Sequence, residues 1–266
     1  MAIDWDDAYA NGAHIPEADA YFPRWQSGAA AFRAACPPEE IAYGPGARNR
    51  LDLFRPDGAA RGLVVFVHGG YWRISGREDW SHLAAGPVAA GWAVALPSYT
   101  LCPDGTIAGA VREVAAAIDR AAAEVAGPVR LTGHSAGGHL VTRMLCEDVA
   151  LGVSERVSGA VAISGIFDLR PLTRTAMNAD FGMDLAAAGA ESPALLVPRA
   201  GARLVAWVGA DERPEFRRQS ALIANIWQGF GVDVRAVEAP GRHHFDVIAD
   251  LESAESVLTR VVLDGA

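Results

Sequence analysis

With 266 residues and 51% hydrophobic side chains, the chain is long enough to bury one large core. A formal net charge of -9 leaves no basic face to neutralise a phosphate backbone, which argues against nucleic acid as a partner. All 23 basic residues are arginines, so no lysine is present for a pyridoxal Schiff base, a Walker-type phosphate loop or a Ser-x-x-Lys base.

The amino-terminal stretch MAIDWDDAYANGAHIPE carries acids where an export signal needs a basic patch and an apolar run. No window approaches the ~20 uninterrupted apolar residues of a membrane span. A soluble, cytoplasmic protein without membrane partners is expected, with the scattered Cys36, Cys102 and Cys146 as free thiols. Residues 1–40 read as an irregular N-terminal extension and a candidate lid.

From there strands and helices alternate. Residues 48–56 (RNRLDLFRP) alternate polar and apolar like a half-exposed strand, while 62–70 (GLVVFVHGG) and 91–99 (GWAVALPSY) are apolar runs of the kind found in buried parallel strands. Apolar residues at helical spacing predict a helix over 106–126, ended by Gly127-Pro128. Strand 128–132, helix 136–148, strands 157–164 and 203–208, helix 214–229, strand 232–237 and a last helix over 245–262 follow. This order predicts one α/β domain over 1–266 with a mostly parallel central sheet flanked by helices on both faces. Residues 166–200 also break the rhythm and are a second candidate lid.

At the junction of strand 128–132 with the following helix, Gly133-His134-Ser135-Ala136-Gly137 matches G-x-S-x-G. Such a turn holds the serine in a strained backbone conformation and needs tiny flanking residues where strand and helix converge. The hydroxyl then stands at the carboxyl edge of the sheet, beside a helix start that favours negative charge. His68-Gly69-Gly70 ends a neighbouring buried strand, where glycines let backbone N–H groups approach a developing oxyanion. The expected donors are the N–H groups of Gly70, Tyr71 and Ala136; His68 itself reads as a structural histidine.

A base and an orienting acid should follow the serine in chain order. Asp211 lies just after strand 203–208, and His244 lies in the loop before the last helix, next to Phe245, which can pack against the ring. Asp211 and His244 are the preferred pair, with His243 as the rival base. Glu212, Asp168 and Asp246 are rival acids, and capping of the last helix is the more natural role for Asp246. A metal site is not expected: His134 and His139 are five apart and the adjacent His243 and His244 point two ways.

Taken together, HGGYW (68–72), GHSAGGHL (133–140), SGIFDLRPL (164–172), GADERPEFRRQS (209–220) and HHFDVI (243–248) resemble the α/β-hydrolase superfamily, and within it the kynurenine formamidase (arylformamidase) branch with its bacterial esterase relatives, over about residues 45–265. The resemblance implies a triad on Ser135, Asp211 and His244, an oxyanion hole at the HGGYW loop, no cofactor, and hydrolysis of an aryl formamide such as N-formylkynurenine or of a short carboxylic ester. A general carboxylesterase or thioesterase, and an inactive hydrolase fold that only binds, are the alternatives. Tyr71, Trp72, Tyr99 and Phe167 are the expected substrate contacts, with Phe22 and Trp25 as lid contacts, and Arg73 and Arg170 as groups that could meet a substrate carboxylate or pair with nearby acids. The apolar balance leaves room for a homodimer face.

Overall fold

The computed structural model describes residues 3–265. Eight strands form one sheet: β1 (Glu39–Ala42), β2 (Arg50–Phe54), β3 (Leu63–Val67), β4 (Ala93–Pro97), β5 (Val129–His134), β6 (Val157–Ile163), β7 (Arg203–Gly209) and β8 (Asp233–Ala239), in the order β1-β2-β4-β3-β5-β6-β7-β8. The pairs β1/β2 and β2/β4 are antiparallel, and every pair from β4 to β8 is parallel. The predicted α/β class with a mostly parallel sheet is the one observed.

The described helices are α1 (Trp5–Tyr9), α2 (Ala18–Ala35), α3 (Ala85–Ala89), α4 (Ile107–Glu124), α5 (Ala136–Arg143), α6 (Asn178–Phe181), α7 (Leu185–Ala190), α8 (Pro214–Gln228) and α9 (Val257–Asp264). The central strands are buried on both faces because their side chains alternate between two cores. Leu63, Val65 and Val67 join Leu131, Ala162 and Leu204 under α4, α5 and α8. Val64 and Phe66 join Val94, Ile163 and Trp207 on the opposite face, with Trp80, Leu251 and Leu258. Each buried Val, Leu, Ile or Phe among them contributes about 1.5–3 kcal/mol by leaving water.

Three expectations need correction. Residues 1–40 are largely helical: α2 has 18 residues and packs Phe32 against Phe54 (centroids 5.3 Å apart) and Trp25 against Trp80 (4.7 Å). Its alanine-rich sequence and internal Pro23 hide it from a reading by apolar periodicity. Helix 136–148 stops at Arg143, because the chain turns and Cys146 bridges Pro198. The last helix is broken: Ala249–Glu252 forms a short 3-10 turn, and α9 starts afresh where Ser256 accepts the N–H of Thr259 at 3.0 Å. Among the described residues no helix is long and apolar enough to cross a membrane.

Candidate active site

The carboxyl end of β5 runs directly into α5, and Ser135 is the single residue between them, with φ 55° and ψ -116°. A non-glycine residue in this region carries about 1–3 kcal/mol of strain, held in place by its surroundings. The serine N–H donates to the Ile163 carbonyl of β6 at 2.8 Å, and its own carbonyl accepts from His139 at 3.2 Å. A Cβ on Gly137 would overlap the Val67 carbonyl, one on Gly133 would overlap the Gly137 carbonyl, and one on Gly138 would come within 2.9 Å of Gly165 Cα. The glycines of this turn are therefore fixed by backbone packing against β3 and the loop after β6.

Beside it, the loop after β3 carries Gly70, Tyr71 and Trp72 with φ of 100°, 50° and 54°. Two bulky residues in succession with positive φ are unusual, and specific anchors hold them. The Tyr71 hydroxyl donates to the Tyr9 carbonyl and accepts from Asn11 Nδ2 at 2.9 Å. The Trp72 ring is fully buried against His139 (5.1 Å) and Phe181 (5.9 Å). Among the described residues, no protein acceptor takes the N–H of Gly70, Tyr71 or Ala136. A Cβ on Gly69 would sit 3.1 Å from Ser135 Cβ, so this loop lies against the serine. His68 is the structural histidine expected: it is buried, stacks on Tyr99 at 4.5 Å, and burial lowers its pKa to about 4.

His244, also buried, brings its Nδ1 to 2.7 Å from Glu212 Oε2. The other carboxylate oxygen, Oε1, accepts the Gly209 N–H at 2.8 Å and the Ser164 hydroxyl. Phe216 packs on the imidazole at 4.4 Å, and His134 lies 4.7 Å away on another side with its Nε2 2.9 Å from the His244 carbonyl. Burial, then the neighbouring His244, pushes the His134 pKa well down, so His134 is neutral and its Nε2–H is the donor.

The carboxylate that meets His244 is thus Glu212, one residue beyond the expected Asp211. Asp211 is exposed and engages the chain through its N–H to the Arg242 carbonyl (3.0 Å). After β7 the turn that joins the Glu212 N–H to the Gly209 carbonyl (3.2 Å) folds the Glu212 side chain back over the sheet edge, and its extra methylene supplies the reach. The rivals have other partners: Asp168 takes the Arg170 guanidinium through both oxygens, Asp246 accepts the His243 N–H at 2.7 Å instead of capping the last helix, and His243 Nε2 meets the Tyr21 hydroxyl of α2 at 3.0 Å.

Ser135 and His244 both line a cavity of about 510 Å³, whose wall includes Gly70, Tyr71, Phe22, Trp25, Trp80 and Phe245. Of the expected substrate contacts only Tyr71 reaches it. Trp72, Tyr99 and Phe167, in the loops after β3, β4 and β6, are fully buried in the core. Phe22 and Trp25 do line the cavity, so α2 supplies part of the wall; none of the lining residues belongs to 166–200, where the Ala194 N–H donates to the Phe167 carbonyl (2.9 Å).

Residues 64–262 match the model of the alpha/beta hydrolase family. The chain belongs to that family. A kynurenine formamidase from Salmo salar is 30% identical over 235 residues, covering 84% of this chain and 80% of its own. A candidate thioesterase from Silicibacter sp. TM1040, known as a crystal structure, is 45% identical with a TM-score of 0.93, covering 98% of this chain and all of that one. An esterase from Pyrobaculum calidifontis shares the fold at a TM-score of 0.69 and 20% identity, over 92% of this chain and 91% of its own. The protein is a hydrolase with relatives among formamidases and esterases.

In this alpha/beta hydrolase several arginines close in sequence to site residues are paired with acids. Arg73 pairs with Asp180, Arg77 with Asp52 and Glu40, Arg213 with Asp7 and Arg242 with Asp250. Arg170, expected either to meet substrate or to pair with an acid, pairs with Asp168. Ser164, with φ 53° and its hydroxyl on Glu212, is a site residue that sequence reasoning missed; only its place after a buried strand could have marked it. Among the described residues no group of three or more His, Cys, Asp or Glu is arranged to hold a metal ion.

Proposed function

We propose that this hydrolase cleaves a small aryl formamide or a short carboxylic ester through an acyl-enzyme on Ser135, with His244 as base and Glu212 as its orienting carboxylate. The observation that carries the reading is the His244–Glu212 contact of 2.7 Å at the same cavity as the strained serine. A carboxylate on Nδ1 fixes the proton there and leaves the lone pair of Nε2 to take the serine proton. Ser135 Oγ then attacks the carbonyl carbon, and the oxyanion is received by the N–H groups of Tyr71 and Ala136, with Gly70 beside them. The imidazolium returns its proton to the departing aryl amine or alcohol, and water enters by the reverse route, releasing formate or the carboxylic acid. The chemistry needs no cofactor, and the buried thiols of Cys102 and Cys146 suit a reducing, cytoplasmic setting.

The formamide reading is favoured by likeness to the Salmo salar kynurenine formamidase over most of both chains. Likeness at 45% identity to the candidate thioesterase supports a second reading, hydrolysis of a thioester at the same serine. Rates with N-formylkynurenine, p-nitrophenyl acetate and a short acyl thioester, measured side by side, separate them. The proposal expects the specificity constant for the formamide to equal or exceed the others, with Ser135→Ala lowering all three at least about 1,000-fold. A negligible formamide rate would remove the narrower reading, and an unchanged Ser135→Ala variant would remove the serine.

A further inference from the structure

Charge is distributed unevenly around the cavity. Its rim and walls carry the rings of Phe22, Trp25, Trp80 and Phe245 together with Tyr71, and Asp19 in the first turn of α2 is the one carboxylate among the lining residues. No arginine is among its lining residues, in a chain with 23; Arg73, Arg77, Arg213 and Arg242 are held by acids, and the exposed Arg24 beside Trp25 lies over the Tyr21 ring at 5.1 Å. The rings are set edge to face: Trp25 meets Phe245 at 5.4 Å and 74°, and Phe22 at 6.4 Å and 79°. Such an arrangement turns negative ring faces toward neighbouring space as well as packing edges. An organic cation gains from aromatic faces and from a nearby carboxylate, while an anion among these rings would lose hydration and meet no cationic side chain of the lining, its only donors being the N–H groups beside Ser135.

We propose that the cavity selects neutral or cationic aromatic substrates and discriminates against those carrying a carboxylate near the ring, with Asp19 as the charged determinant. The inference deepens the proposed activity and rests on the cavity above Ser135 being where substrate binds. A zwitterionic substrate would enter with its ammonium toward Asp19 and its carboxylate toward solvent.

Asp19 also sits favourably against the α2 dipole, and the net charge of -9 repels any anion, so the test reads a ratio between ligands and includes a matched charge change elsewhere. Trp25 and Trp80 report on the cavity by fluorescence. Titration of the full chain at low ionic strength with phenyltrimethylammonium, benzamide and benzoate should give a Kd about tenfold or more lower for the cation than for benzoate, with benzamide between. Asp19→Asn should shrink the cation-to-benzoate ratio by about fivefold. Glu155→Gln, an exposed residue just before β6 at the opposite edge of the sheet, makes the same change in net charge and should leave the ratio as it was. Benzoate binding as tightly as the cation, no response to the cation at millimolar concentration, or equal effects of the two variants would overturn the inference. Because binding alone is measured, the selectivity can be decided even if the ester assay rules out the serine chemistry.

Discussion

Replacing Glu212 by glutamine keeps shape and volume and removes only the charge. Oε1 accepts both the Gly209 N–H and the Ser164 hydroxyl, so the amide oxygen of the variant is held at that position and its NH2 faces His244 Nδ1. Two donors cannot face each other. Nδ1 must become the acceptor, the proton moves to Nε2, and the ring can no longer take the serine proton. The opposite flip would set NH2 against the Gly209 N–H in a buried place, which costs about 1–3 kcal/mol for the unsatisfied donor. A forced wrong tautomer in a serine triad costs about 10,000-fold in kcat, or roughly 5 kcal/mol of transition-state stabilisation. We therefore expect Glu212→Gln to lower kcat for p-nitrophenyl acetate by about 1,000- to 10,000-fold with circular dichroism unchanged, and Asp211→Asn to stay within about twofold, as an exposed side chain should. A Glu212→Gln enzyme keeping more than a tenth of its activity, or an Asp211→Asn enzyme equally crippled, would refute the assignment.

Two further predictions concern the scaffold. Gly137→Ala drives a methyl into the Val67 carbonyl and should cost about 3 kcal/mol or more, a fall in Tm of roughly 6–12 °C by calorimetry, whereas Gly189→Ala in α7, whose nearest outside neighbour is Leu195 Cδ1 at 3.8 Å, should be neutral or mildly stabilising; equal effects would count against a packing role for Gly137. Burial lowers the pKa of His68 and His82 to about 4 and that of His139 to about 3, from 6.5. Between those limits the unfolded chain binds protons that the folded chain does not, so stability falls as pH falls below about 6.5, by about 1.4 kcal/mol per pH unit for each histidine and about 4 for the three. Urea midpoints measured from pH 7 to 5 should drop steeply, and a flat profile would mean that these rings are not held neutral.

The sheet is legible in the sequence because strands buried on both faces leave unbroken apolar runs, as in Leu63–Val67 and Ala93–Pro97. Ser135 is legible for a related reason: the clash that forbids side chains at positions 133 and 137 writes itself as glycine. The acid is not. Asp211 and Glu212 are neighbours after the same strand, and the choice between them rests on how one turn directs a side chain, which no spacing rule encodes. The cavity wall is half legible. Phe22 and Trp25 are expected near it even though α2 is hidden, while Trp72, Tyr99 and Phe167 are expected there wrongly, because an aromatic at a strand end looks alike in sequence whether a later loop buries it or leaves it open.

At the centre of the account stands the nucleophilicity of one hydroxyl, and reaction with a fluorophosphonate followed by peptide mass spectrometry tests it most directly. The account predicts stoichiometric modification at Ser135, lost together with esterase activity in Glu212→Gln and absent in Ser135→Ala. Labelling of another serine with full loss of activity, or full activity after Ser135 has been modified, would contradict it.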